Sequence, residues 1–145
     1  MTIKKVFFDA NIFHDIFDEN RKTHTVSNTA YLGALEKSIT LCTSCDIVTN
    51  IYYITAKYTT RENALNAIDF LKTSVSILPF GEDELSATIQ LMRKDPEYKD
   101  LEDTIQYIMA LNEKCEIIVT NDKHFVSKEI ECMTSEKFVE TFLCT

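Results

Sequence analysis

Short apolar runs alternate with longer segments of helical period, and this alternation restricts the fold more than any other feature of the chain. Val6-Phe7-Phe8 and Ile117-Ile118-Val119 are apolar at every position, as expected of short strands buried on both faces. The pattern predicts a strand at about 3–8, helices at about 11–17 and 25–37, and a strand at about 39–43. Helices at about 46–58 and 61–73 follow, with Ser44 or Asp46 capping the first and Thr60 the second. Their inner faces are expected to carry Ile47, Ile51, Ile54 and Tyr58, then Ala64, Leu65, Ile68 and Leu71, which recur at helical spacing. Val75 to Leu78 read as a strand, Gly81 precedes a helix at about 82–94, and Pro96 forces a loop over roughly 94–99. A helix at about 101–114, a strand at about 116–120, a turn, an edge strand near 130–133 and a terminal helix begun by Ser135 complete the pattern.

Strands separated by helices predict an α/β protein with a central, mainly parallel sheet covered on both faces, a three-layer α/β/α arrangement with right-handed crossovers. A single domain over 1–145 is expected. Hydrophobic residues make up 45% of the 145, enough for one core, and two Gly, two Pro and no repeat leave no sign of a linker. The opening MTIKKVFFDAN has only a three-residue apolar run before an acid, too short for a signal peptide or a membrane span, so a cytoplasmic location is expected. Five cysteines, an odd number, point to reduced thiols rather than a disulfide framework. Cys42-Thr43-Ser44-Cys45 is a CxxC without flanking Trp or Pro or a second close pair, so core packing is its expected role.

In a parallel sheet of this kind the functional crevice lies beyond the C-terminal strand ends. Asp9 and Asp122 follow two such strands, and Asp103 stands near the start of a helix, where the macrodipole also favours an acid. Desolvating an acid at a buried strand end is costly unless positive charge meets it. A hard divalent cation, which takes oxygen ligands, meets that need. Asp100 shares the face of Asp103 if the helix begins that early, while Glu102 is expected to point elsewhere, into solvent. The net charge of -8 argues against a broad phosphate-tracking surface. That objection weakens where acids are metal ligands and where Lys4, Lys5, Arg21, Lys22, Lys57 and Arg61 gather near the cleft. His14, His24 and His124 are scattered, no nucleophile elbow is present, and Gly33 and Gly81 are too few for a phosphate loop. Tyr52, Tyr53 and Tyr58 are expected in the core or in a dimer contact.

Taken together, Val6-Phe7-Phe8-Asp9-Ala10-Asn11, Leu101-Glu102-Asp103-Thr104-Ile105-Gln106 and Ile118-Val119-Thr120-Asn121-Asp122 resemble the PIN-domain family. These are small metal-dependent ribonucleases that include the VapC-type toxins of bacterial toxin–antitoxin pairs. The resemblance implies that Asp9 is the first metal-binding acid and Asn11 the polar residue supporting it. Asp103 matches the acid that opens the helix lining the cleft, and Thr120 with Asp122 the family's Thr-x-Asp. The second family acid, a Glu on the helix after the second strand, is Asn50 here, which leaves Asp46 or Asp100 to supply the missing carboxylate.

The implied function is hydrolysis of RNA with Mg²⁺ or Mn²⁺, leaving a 3′-hydroxyl and a 5′-phosphate. Asp9, Asn50, Asp103 and Asp122 form its catalytic set, and a cognate antitoxin and a homodimer are its implied partners. Two other readings stand beside it. One is a PIN-like RNA- or protein-interaction module with weakened catalysis, which Asn50 would explain. The other is aspartyl phosphoryl transfer at Asp9, chemistry that usually pairs the nucleophile with an acid two residues on, where Asn11 stands.

Overall fold

The computed structural model describes residues 2–144. Five strands, β1 (Lys5–Phe8), β2 (Thr40–Ser44), β3 (Ser76–Leu78), β4 (Ile117–Val119) and β5 (Glu131–Met133), form one sheet in the order β3-β2-β1-β4-β5. Every neighbouring pair is parallel, including the edge pair β4 and β5. The helices are α1 (Ala10–Phe17), α2 (His24–Glu36), α3 (Ile47–Tyr58), α4 (Arg61–Ser74), α5 (Glu82–Lys94), α6 (Leu101–Asn112) and α7 (Ser135–Phe138), which continues into a wider helical turn at Val139–Leu143. The expected three-layer parallel architecture is the one found, with element ends displaced by one or two residues.

Strand side chains alternate between faces, and this explains how strands apolar throughout feed two cores. Val6, Phe8, Leu41, Ile117 and Val119 pack with Phe13, Tyr31, Ile51, Leu71 and Phe138, from α1, α2, α3, α4 and α7. Phe7, Cys42 and Ile118 face the other way, onto Ile105, Ile108 and Met109 of α6 and the partly buried Leu85 and Leu91 of α5. The Phe8 ring meets those of Phe13 and Phe138 at centroid distances of 5.9 and 6.0 Å. Burial of one such side chain contributes about 1.5–3 kcal/mol.

Two inner faces differ from the periodicity. On α3, Ile47 and Ile51 are buried, whereas Ile54 is 37% and Tyr58 74% exposed. Only the first turns of α3 contribute buried residues, so apolar spacing continues past the point where there is a core to fill. On α4 the buried set is Ala64, Ala67 and Leu71, with Leu65 left exposed. Tyr52 and Tyr53 are also exposed, which removes the core as their destination. Thr60 caps α4 by accepting from the Asn63 amide at 3.0 Å. Asp46 stands at the N-cap of α3 without making a side-chain cap bond, and Ser44 is a buried strand residue with its hydroxyl unpaired.

The cysteines of the described residues are free thiols, and Cys42 and Cys115 are buried. Among these residues no helix is long and apolar enough to cross a membrane.

From β1 the chain adds β2 and β3 on one side of the sheet, then returns to add β4 and β5 on the other. The order therefore reverses at β1 and β4, and a crevice opens beyond their C-terminal ends.

Candidate active site

The register of β1 and β4 pairs Phe8 with Val119, so the next residues, Asp9 and Thr120, emerge side by side. The Asp9 amide donates to the Val119 carbonyl at 3.0 Å. Asp9 is only 4% exposed, and as the N-cap of α1 it accepts from the Ala10 amide at 2.6 Å through Oδ1. Its Oδ2 accepts from Thr120 Oγ1 at 2.7 Å. Thr120 Oγ1 in turn accepts from Asn11 Nδ2 at 3.3 Å and from the Asp122 amide at 3.1 Å. A hydroxyl has one proton and two lone pairs, and Thr120 uses all three. Asn11 also accepts from the Asn121 amide at 3.3 Å, which ties the first turn of α1 to the loop after β4. Engaged in this way, it leaves no acid two residues beyond Asp9 for aspartyl phosphoryl transfer.

Helix α6 forms the opposing wall. Asp100 is its N-cap and accepts from the Asp103 amide at 2.8 Å, so the helix begins early enough for the two acids to share one end. Asp103 is half-buried in the first turn. Burial, followed by the charges of Asp9, Asp100, Asp122 and Glu102, pushes its carboxyl up to about 7. Burial is also the main reason Asp9 lies above the usual carboxylate range, with the Asp122 charge adding to it. The Thr120 hydroxyl, the Ala10 amide and the nearby Gln106 side chain act against that rise. Glu102 is raised by partial burial and by Asp46, Asp9 and Asp100. It is exposed, as expected of a solvated first-turn acid, although its charge is felt at Asp103.

A pocket of about 530 Å³ runs along this wall, lined by Tyr98, Asp100, Asp103, Asp122, Lys123 and His124 among others. Asp9 is buried and does not line it. A larger groove of about 1010 Å³ is found elsewhere, between the loop after α1 and helix α3, and His14, Arg21, His24, Lys57 and Tyr58 contribute to its lining. None of the predicted acids lines that groove, so side-chain chemistry rather than size places the site. Of the basic residues named from sequence, Arg21 and Lys57 border the larger groove, whereas the acid pocket has Lys99, Lys123 and His124.

The PIN domain family matches residues 5–124, a span that holds all of these acids. The chain belongs to the PIN domain family. This PIN domain is 42% identical over 140 residues to Ribonuclease VapC1 of Aquifex aeolicus (strain VF5), covering 97% of this chain and 96% of that protein. Its fold is similar to a toxin–antitoxin complex from Klebsiella pneumoniae, with a TM-score of 0.67 and 18% identity over 90% of this chain and 97% of that one. It is also similar to DNA-bound VapBC from Salmonella typhimurium, with a TM-score of 0.63 and 20% identity over 92% and 99% of the two chains.

The PIN-domain acids agree in chemistry with a divalent metal. Every donor is an oxygen, the type a hard cation takes, and several buried polar atoms here lack partners: Asp46 Oδ1, Ser44 Oγ and both polar atoms of Gln106. Among the described residues, however, no three His, Cys, Asp or Glu side chains stand close enough to form a ready-made coordination shell. The acids share a field without yet converging on a point. Asn50 sits exposed on α3, one helical turn after Asp46. The Asp46 carboxyl has one buried, unpaired oxygen and a charge felt at Glu102. Gln106 was not anticipated from sequence. Its signal there is a lone amide inside the apolar stretch Ile105 to Met109.

Proposed function

We propose that this PIN domain, functioning as one unit over 1–145, is a divalent-metal-dependent endoribonuclease and the toxin of a toxin–antitoxin pair. The observation that carries the reading is the crowding around Asp103, whose carboxyl is pushed up to about 7 by burial and by four neighbouring acids. Like charges held together in a crevice are relieved by a cation. Asp9, Asp103 and Asp122 would hold Mg²⁺ or Mn²⁺, with Asp100 and Asp46 as the further carboxylates and Asn50 orienting water. A divalent ion bound there would acidify water and polarise a phosphoryl oxygen for hydrolysis of the phosphodiester. Thr120 favours the charged form of Asp9 by donating to it, and Asn11 holds Thr120 and the loop after β4 in place.

The 42% identity to Ribonuclease VapC1 supports RNA as the substrate. The fold shared with the Klebsiella pneumoniae and Salmonella typhimurium complexes is consistent with an antitoxin partner, and we extend the proposal to a homodimer acting in the cytoplasm. A second reading, an interaction module with weakened catalysis, is favoured by the neutral Asn50.

Incubation with single-stranded RNA separates the two. The nuclease reading expects cleavage with Mn²⁺ and 5′-phosphate products from wild type, and none from Asp103→Asn or in EDTA. Binding of RNA and Mn²⁺ without cleavage would establish the interaction module instead.

A further inference from the structure

We propose that Asp15 is a positioning residue for the acids of the site, acting through Asn121; the inference rests on the nuclease reading of that site. Asp15 lies on α1, six residues beyond Asp9, and is 1% exposed. It belongs to none of the three segments that carry the family resemblance, yet it is the acceptor at the centre of a buried polar cluster. Arg21 Nε donates to its Oδ1 at 2.8 Å. Ser27 Oγ and Asn121 Nδ2 donate to its Oδ2 at 2.7 and 3.0 Å. The His24 ring Nδ1 pairs with its carbonyl at 2.8 Å.

Asn121 is the middle residue of Thr120-Asn121-Asp122, and every polar group it points inward is engaged. Its side-chain oxygen accepts from the Ser135 amide at 3.0 Å, and its Nδ2 also donates to Ser135 Oγ at 3.1 Å. Its backbone amide donates to Asn11. The loop between β4 and β5, which presents Thr120 to Asp9 and carries Asp122, is thus held by α1, α2 and α7. A carboxylate suits the anchor because two oxygens serve three donors. An amide in its place offers one oxygen and sets an N–H₂ against a donor on one side or the other. Groups that orient metal-ligating side chains typically contribute 10–100-fold to affinity or activity.

The test is steady-state RNA cleavage with Mn²⁺ by wild type, Asp15→Asn, Asn121→Ala and Thr60→Ala. Asp15→Asn and Asn121→Ala should each lower kcat about tenfold or more with KM for RNA within about twofold. The double variant should be no slower than the worse single one, since both act through one contact. The Mn²⁺ concentration giving half the thermal shift should rise in both. Thr60→Ala, which removes the cap of α4 far from this cluster, should lower Tm but retain kcat.

A merely structural Asp15 would lower Tm in Asp15→Asn and Thr60→Ala alike and leave kcat unchanged, which overturns the proposal. If Asp15→Asn does not fold, Asn121→Ala decides alone, and wild-type kcat in that variant overturns it. If wild type neither cleaves RNA nor shifts with Mn²⁺, it is the function reading that has failed. Asp15 is then judged on hydrogen exchange of the Asp122 amide, comparing wild type with Asp15→Asn or, where that does not fold, with Asn121→Ala. Exchange at least about tenfold faster in the variant supports the positioning role, and unchanged protection refutes it.

Discussion

Thr120 Oγ1 donates to Asp9 Oδ2 across 2.7 Å, although 111 residues separate the two in the chain. That proton joins the ends of β1 and β4, while the two lone pairs of the same oxygen hold Asn11 and the Asp122 amide.

Replacing Thr120 by Val keeps the side-chain volume and removes all three bonds at once. A buried carboxylate then loses a donor, and an amide and an N–H₂ lose their acceptor. We expect a loss of about 1–3 kcal/mol in urea unfolding together with loss of RNA cleavage. Thr120→Ser should stay near wild type in both. Wild-type stability in Thr120→Val would show that the hydroxyl contributes nothing at this junction.

Asp103→Asn removes the charge at the most crowded position. In EDTA at about pH 8 the variant should melt at or above wild type, because repulsion from Asp9, Asp100, Asp122 and Glu102 is relieved. With millimolar Mn²⁺ the order should invert, since a ligand that binds only the folded state stabilises it and the variant has lost one of its donors. Melting curves with and without Mn²⁺ check both halves. A metal-free variant clearly less stable than wild type would contradict the crowding argument.

The same crowding sets a pH dependence in the metal-free protein. Asp103 has a folded pKa of about 7 against 3.8 for the ordinary carboxyl, so between those values the folded state binds more protons than the unfolded one. Stability therefore falls as pH rises through that window and levels off above it. Asp9 and Glu102, both raised, act in the same direction. Asp15 acts oppositely: burial pushes its carboxyl up, but its bonds to Ser27, Arg21 and Asn121 hold it below the usual range, so its contribution is lost only in stronger acid. Tm in EDTA should drop from about pH 5 to about pH 7.5, with a shallower drop in Asp103→Asn. A flat wild-type profile would sink the assignment.

Asp46 and Asn50 are separable as the source of the remaining ligand. Asp46 has a buried oxygen with no partner, whereas Asn50 is exposed. Asp46→Asn should weaken the Mn²⁺ thermal shift and slow cleavage about tenfold, within the range for groups around a metal site, and Asn50→Ala should cost less. The reverse ranking would return the family position to Asn50.

Much of the site was legible in the sequence because its elements are local. An apolar run ending in an acid marks Asp9, a like run ending three residues before it marks Asp122, and Asp103 stands near the start of a helix; these patterns need only a few neighbouring residues to be read. The inward faces of α3 and α4 were legible only in part. Periodicity says which residues share a stripe, but not how far the sheet extends beneath it, and so Ile54, Tyr58 and Leu65 are exposed at regular spacing.

The sequence by itself determined the alternating elements, the Thr60 cap and the acids near their ends, since each follows from dihedral preference, apolar period and hydrogen bonding within a turn or two. Only the tertiary structure decided that Thr120 meets Asp9, that Gln106 lies buried near Asp9, and that Asp15 bonds to Asn121. Those relationships depend on the order β2-β1-β4, on the register of Phe8 with Val119, and on the angle at which α6 docks. Contacts and charge repulsion act through space, across separations for which the chain carries no local signal.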